Sequence, residues 1–416
     1  MKIAMINTPL LGRSGAERQI LSLAIGLQKI GNEVEIFTPA VNEKTCYPEL
    51  LKQVTVNALS RKYFVPFMQP SNSLSHSSNI GEITATKNLI GKIAVNQFYK
   101  IGLPAMINVG RMIPKGFDII NNHNAPTEWA AFIAKNRLKI PVVWMCNEPP
   151  FFYFEPPGRG IRKKLTLEPL LKMWDKTSVR YIDEILVLSH AAEGLVKNVY
   201  SRSSIVVRTG LDIAKFQNVS GDQVRKKYGL ENDFVLLQVA NLAPIRSPVK
   251  RQYDSIKALY YLSKNYRNVK LILDGAGPQE ELRKLSEKLG LKDKVLFLYS
   301  KCDQELVQLY AACDVFIFPS QITWGLAVIE AMASSKPVIV SKGCGVSEII
   351  EDNTNGMLVD IAKPEDIARK IEILFNDSSL RKKIGENAYK YVKENLSWEK
   401  FSEHMNTIFK KAILKY

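Results

Sequence analysis

Asp314-Val-Phe-Ile-Phe-Pro-Ser320 runs directly into Gln321-Ile-Thr-Trp-Gly325-Leu-Ala-Val-Ile-Glu330-Ala-Met-Ala-Ser334, and how this stretch is read decides the fold. The first part is a short apolar strand, stopped by a proline that cannot donate to a central ladder. The second part is spaced as a helix beginning near Gly325 and Leu326. A strand, a short loop and a helix make half of a βαβ unit. The first-turn N–H groups of such a helix lack intrahelical partners, and the helix dipole is positive there, which suits a diphosphate. Gly325 permits close backbone approach. Glu330, one to two turns in, could accept hydrogen bonds from a ribose diol, as an acidic residue does in dinucleotide folds.

Working outward, the same cycle recurs through the second half of the chain: Phe234 to Val239, Val269 to Leu273, Lys294 to Leu298, Asp314 to Phe318 and Pro337 to Val340, each followed by a helical stretch. In the first half, Lys2 to Asn7 leads through Leu11-Gly-Arg-Ser-Gly15 into a helix that carries Ile20, Leu21, Leu23, Ala24 and Leu27 and stops at Gly31. Strands follow at Val34 to Phe37, Phe117 to Ile120, Pro141 to Met145 and Glu184 to Leu188. The expected class is α/β, with two Rossmann-like doubly wound domains facing each other across a cleft at the carboxyl ends of their parallel sheets. The boundary falls after Ile205-Val-Val-Arg-Thr-Gly-Leu-Asp212. This gives domains 1–212 and 213–396, with a final segment, 397–416, that crosses back to the first domain.

The chain has 416 residues, 46% hydrophobic and 24% charged, which excludes a disordered tail and a disulfide-stapled mini-scaffold. Lys+Arg number 57 against 41 Asp+Glu, a net charge of +16 that points to an anionic partner: nucleic acid, a phosphate-bearing substrate or a membrane surface. Residues 51–115 hold eight of the basic residues and one acid, Glu82. Beside the lysines there, Leu89, Ile90, Ile93, Ala94, Phe98, Ile101 and Leu103 form an apolar helical stripe. Two readings stay open, an interfacial contact with an anionic membrane and a core-facing helix with a solvated basic back. Nucleic acid is disfavoured, because the basic residues lack interleaved aromatic platforms. Five cysteines without a Cys-x-x-Cys pair suggest a reducing compartment and no zinc site. No apolar run reaches about 18 residues, so no spanning helix is expected, and the short apolar start reads as a strand, not a signal peptide. The expected location is cytoplasmic, with peripheral attachment to the cytoplasmic membrane face as the open variant.

The segment Pro319 to Ala333, with Val338-Ile-Val-Ser341, Gly345-Val-Ser-Glu-Ile-Ile350 and Asn355-Gly356, closely resembles the donor-binding region of retaining nucleotide-sugar glycosyltransferases of the GT-B fold, group 1 or family 4 type. Asp274-Gly-Ala-Gly277-Pro278 is similar to that family's Gly-x-Gly-Pro turn, Gly210-Leu-Asp212 with Phe216 to its Asn-Gly-Val-Asp-x-x-x-Phe, and Gly15-Ala-Glu-Arg18 to its Gly-Gly-Ala-Glu-Arg loop. The resemblance implies a donor site of Gly15, Asn241, Arg246, Lys250, Gly277, Gly325, Leu326 and Glu330. Glu330 and His123 are implied as the catalytic pair, with His123 orienting the donor sugar or the acceptor. Lys250-Arg-Gln252 resembles the family's cationic element opening a helix, and a cation reaching the diphosphate would stabilise the leaving nucleotide.

The family's Glu-x(7)-Glu keeps only its second acid, since Ile322 stands at the first, and its Gly-Arg-Leu is Ala240-Asn241-Leu242 here. Trp144-Met-Cys-Asn147-Glu148-Pro-Pro150 is similar in form to mannosyltransferases that extend lipid-linked oligosaccharides, which makes Asn147 and Glu148 candidate acceptor contacts. There is no Asp-x-Asp, and the four histidines have no ligand-like spacing, so neither a metal nor another cofactor is expected. The implied activity moves a hexose from a UDP- or GDP-linked sugar to a saccharide or lipid-linked acceptor, with retention. The rival readings are a nucleic-acid-binding protein and a phosphorylase or non-catalytic sugar-nucleotide binder.

Overall fold

The computed structural model describes residues 1–61, 102, 104–149, 168–242, 249–300, 302–321 and 324–416. They form two compact units: Met1–Thr209 with Trp398–Tyr416, and Gly210–Ser397.

The first unit is built on seven parallel strands: β1 (Lys2–Ile6), β2 (Glu33–Ala40), β3 (Thr55–Ser60), β4 (Ile119–His123), β5 (Val142–Met145), β6 (Glu184–Val187) and β7 (Ile205–Val206), in the order β3-β2-β1-β4-β5-β6-β7. Parallel strands covered on both faces must be apolar throughout, and Ile3 to Ile6 are fully buried. The chain winds outward from β1 to β3, then returns to the other side of β1 as β4. The strand order reverses between β1 and β4, and at such a point the carboxyl ends of the two strands leave a crevice.

The second unit repeats the plan with β8 (Phe234–Val239), β9 (Val269–Asp274), β10 (Val295–Leu298), β11 (Val315–Phe318), β12 (Val338–Ser341) and β13 (Met357–Val359), ordered β10-β9-β8-β11-β12-β13 and all parallel. Its switch point lies between β8 and β11, so the segment after β8 and the loop before Gly325 share one end of the sheet.

The last helix, Trp398–Lys415, belongs to the first unit and packs on helix Gly15–Lys29. It buries Phe401, Met405, Ile408, Phe409 and Ala412. The contact is close because Gly26 has no side chain: a Cβ there would stand 2.0 Å from Ser402 Oγ.

Three elements differ from the sequence reading. Strand β4 lies at Ile119–His123, whereas the sequence reading ends it at Ile120. Asn121, Asn122 and His123 are nonetheless fully buried, because the backbone ladders to β1 and β5 continue, Asn121 bonds His123 and Val143 O, and Asn122 bonds Thr127. Strands β3 and β13 were not anticipated. In the basic segment, residues 62–101 and 103 lie outside the described residues, and with them the apolar stripe from Leu89 to Leu103. The helix over 104–112 that follows puts Met106 and Val109 into the core. All five cysteines are free. Among the described residues no helix is long and apolar enough to cross a membrane, and no cluster of His, Cys, Asp and Glu could hold a metal ion.

Candidate functional site

In the second unit, helix Leu326–Ala333 starts at Gly325 with no side-chain cap, so the donors of its first turn are left to backbone and ligand. Gly325 is extended (φ −132°) and is required by packing instead: a Cβ would meet Phe318 Cζ at 2.8 Å and Val346 Cγ1 at 3.3 Å. Lys250 is brought to this end of the sheet by three bonds. Its carbonyl accepts from Gln238 Nε2 (2.8 Å) and Ser320 Oγ (3.3 Å), and Gln321 N donates to Val249 O (2.9 Å). The turn holding Lys250 is thus fastened to both β8 and the loop after β11. Arg251 follows in the left-handed region (φ 53°), with its guanidinium buried against Asp254 at 2.6 Å.

Asn241 is exposed, and its carbonyl accepts from Gln252 Nε2 (3.0 Å). Gly277 has φ 130°, and a Cβ would stand 2.2 Å from Leu242 O. The Gly-x-Gly turn therefore serves to press the 274–277 backbone against 240–242, where Leu242 N also donates to Ala276 O. Glu330 is 5% exposed, and its Oε2 accepts from the Tyr310 hydroxyl at 2.8 Å. Half-buried Leu326 begins the helix. Arg246 and Ile322 lie outside the described residues. A cavity of about 440 Å³ in this unit is lined by Tyr228, Tyr299, Glu305 and Gln308 among others, and by none of the expected donor residues.

In the first unit, Gly15 is exposed and opens helix Gly15–Lys29 behind the N-cap Ser14. The loop before it is folded around Glu17. Leu11 N and Gly12 N donate to its Oε1 at 2.8 and 2.9 Å, and Ser14 N to its Oε2 at 2.8 Å. At the switch point, Asn147 Nδ2 donates to Gln19 Oε1 (2.9 Å) and to Asn124 Oδ1 (2.7 Å), and Asn124 Nδ2 donates to Asn7 Oδ1 (3.1 Å). Glu148, next in sequence, is exposed.

His123 corrects its expected role. The ring is fully buried, with Nε2 2.7 Å from Asn121 Oδ1 and Nδ1 without a partner, and burial pushes its pKa down to about 3. A neutral ring with no exposed surface does not touch a sugar in this conformation. Its strand-end carbonyl instead accepts from Thr127 Oγ1 (2.9 Å), and that tie fixes the turn carrying Asn124.

Comparison with known proteins bears on this geometry. The Glycosyltransferase Family 4 domain matches residues 13–215, and the Glycosyl transferases group 1 domain matches residues 221–391. The chain belongs to the group 1 glycosyltransferases. Its similarity to individual relatives is lower. It is 28% identical over 251 residues to an uncharacterised glycosyltransferase of Methanocaldococcus jannaschii, covering 58% of this chain and 62% of that one. It is 24% identical to the N-acetyl-alpha-D-glucosaminyl L-malate synthase of Bacillus anthracis over 98% of this chain and 96% of that one. Among solved structures, HepE of Anabaena in complex with UDP-glucose shares the fold with a TM-score of 0.74 at 19% identity, covering 99% and 100% of the two chains. This glycosyltransferase therefore has the GT-B architecture of two Rossmann-like α/β domains.

Sequence reasoning missed Tyr310, Glu17 and the amides Asn7, Gln19 and Asn124. One signal was available for the amides: Asn7 directly follows β1, Asn124 directly follows β4, and Asn147 lies two residues beyond β5.

Proposed function

We propose that this glycosyltransferase transfers a hexose from a nucleotide-diphosphate sugar to a saccharide or lipid-linked acceptor, with retention of anomeric configuration. The observation that carries the reading is the fastening of Lys250 to the loop that leads into the uncapped Gly325 helix, with Glu330 buried in that helix. An ammonium and a helix N-terminus at one end of a sheet are complementary to a diphosphate. Glu330, its Oε2 held by Tyr310, is assigned the ribose. The UDP-glucose bound to HepE is consistent with this assignment.

In the proposed step the acceptor hydroxyl oxygen bonds to the anomeric carbon on the face the nucleotide leaves. The bond from that carbon to the diphosphate oxygen breaks, and the departing phosphate oxygen takes the hydroxyl proton. Lys250 and the helix start stabilise the charge that develops on the diphosphate, so the reading assigns no metal. The first unit is assigned the acceptor, through Asn147 and Glu148, its exposed Gly15 turn is assigned to the donor, and His123 fixes the strand-end turn. Residues 51–115 are assigned to an anionic membrane surface that bears such an acceptor.

A thermal-shift panel of UDP-, GDP- and ADP-linked sugars tests the donor reading, since a ligand that binds only the folded state raises its stability. One nucleotide class should raise the melting temperature, and Glu330→Ala and Lys250→Ala should each weaken that response. An unchanged response in both variants refutes the site.

A further inference from the structure

We propose that Glu128 is held as a neutral carboxylic acid in the folded protein, and that its proton keeps the turn carrying His123 and Asn124 in place. Glu128 is the second residue of helix Thr127–Leu138. It is fully buried, and among the described residues no side chain donates to either carboxyl oxygen, while the Asp175 carboxyl lies within hydrogen-bond reach of it. An ionised carboxylate so placed would pay its desolvation with nothing in return, whereas the neutral acid pays far less. The residue before it, Thr127, accepts from Asn122 Nδ2 (3.1 Å) and has the carbonyls of His123 (2.9 Å) and Asn124 (2.5 Å) within reach of its hydroxyl. A charge forced onto Glu128 would therefore strain the turn that closes the β4 end of the proposed acceptor site.

The groups around Glu128 support the same protonation. From helix Glu168–Arg180, fully buried Asp175 accepts from the Tyr200 hydroxyl (2.9 Å) and from Trp129 Nε1 (3.4 Å), which marks Asp175 as the anion of the pair. Lys176 and Arg180 of that helix are exposed, and Lys172 is half-buried. Burial first, and the Asp175 charge second, raise the Glu128 carboxyl well above the ordinary range. Burial, first of all, likewise raises the Cys146 thiol beyond β5, and burial and then the Asp175 charge raise the Tyr200 phenol. The titratable side chain of β4 is neutral His123, and Lys2 of β1 pairs with Glu35 at 3.4 Å.

The sign of the pH dependence follows. An unfolded glutamate releases its proton near pH ~4.3, while the folded one keeps it to a much higher pH. Across that window the folded state binds one more proton than the unfolded state. The stability it contributes is complete below about pH 4.3 and is lost as pH rises, about tenfold in the opening constant per pH unit.

The test is hydrogen exchange of the Thr127–Leu138 amides in the full-length wild type and in Glu128→Gln, which keeps the shape but cannot ionise. At each pH the intrinsic exchange rate cancels in the ratio of the two. Between about pH 5.5 and about pH 8, the wild-type to variant ratio of opening constants should grow about tenfold per pH unit. A ratio constant with pH, or one that falls, overturns the proposal. If the variant does not fold, wild-type protein labelled at the glutamate δ-carbons decides: one resonance should stay at the protonated position through about pH 7, and its absence is the refuting result. The link to the acceptor end rests on the proposed function, but both measurements need neither donor nor acceptor. Failure of the transfer assay would therefore leave the protonation result standing, and the reverse also holds.

Discussion

Tyr310→Phe isolates one atom on which the proposed donor site depends. The Tyr310 hydroxyl donates to Glu330 Oε2 at 2.8 Å, and both residues are buried, Tyr310 fully and Glu330 to 5% exposure. The ring is held independently of the hydroxyl by an edge contact to Phe216 (6.0 Å) and a tilted contact to Phe316 (5.7 Å between centroids), so phenylalanine should occupy the same place. A hydrogen bond to a carboxylate contributes about 1.5–3 kcal/mol. The second unit should lose that much stability, roughly 10- to 100-fold in its folding constant.

The effect on the donor is smaller and separable. Freeing a side chain that must be immobilised again on binding costs about 0.5–1.5 kcal/mol, or roughly 2- to 12-fold in Kd for the nucleotide sugar. Chemical denaturation followed with a probe in the second unit measures the first effect, and titration calorimetry with the nucleotide sugar found by the thermal-shift panel measures the second. The cycle with Glu330→Ala separates pair from background: if the bond is made, Tyr310→Phe costs little once Glu330 is gone. The same cost with and without Glu330, or a loss under about 0.5 kcal/mol in the wild-type background, would refute the idea that Tyr310 positions the carboxylate.

Two further substitutions probe packing around the sites. Gly26→Ala places a Cβ 2.0 Å from Ser402 Oγ and 2.9 Å from Ser402 Cβ. Rotating the serine relieves only the first contact, so helix Trp398–Lys415 must shift at a cost of about 1–3 kcal/mol. Proteolysis of the C-terminal segment should accelerate, and Ser402→Gly should restore resistance; an unaffected Gly26→Ala protein would show that the helices are not in such close contact. Trp324, 7% exposed beside Gly325, has a buried indole N–H with no partner among the described residues. Trp324→Phe should therefore change stability by less than about 1 kcal/mol, the relieved donor offsetting the smaller ring, and a loss above about 3 kcal/mol by denaturation would show that the N–H is bonded.

The βαβ alternation was legible because parallel strands buried on both faces leave continuous apolar runs, of which Phe234 to Val239 and Val315 to Phe318 are examples. The Gly325 helix start was legible because its residues adjoin in sequence. Of the first unit's amide cluster only Asn147 was legible, for a physical reason. Asn7, Gln19, Asn124 and Asn147 come from four separate points of the chain, and each alone is an ordinary amide. Only the return of the chain from β3 to β4, beside β1, brings them to one end of the sheet. Amides suit that place because each is both donor and acceptor, so a chain of them can be closed in a half-buried crevice without burying a charge. The same logic explains why β4 runs on past Ile120 through Asn121-Asn122-His123. Polar residues usually mark the end of a buried strand, but here Asn121 bonds His123 and Val143 O, and Asn122 bonds Thr127, so the strand runs on to its carboxyl end. Burial then makes His123 neutral and hides it, which moves its contribution from contact with a sugar to the shape of the turn that Thr127 closes.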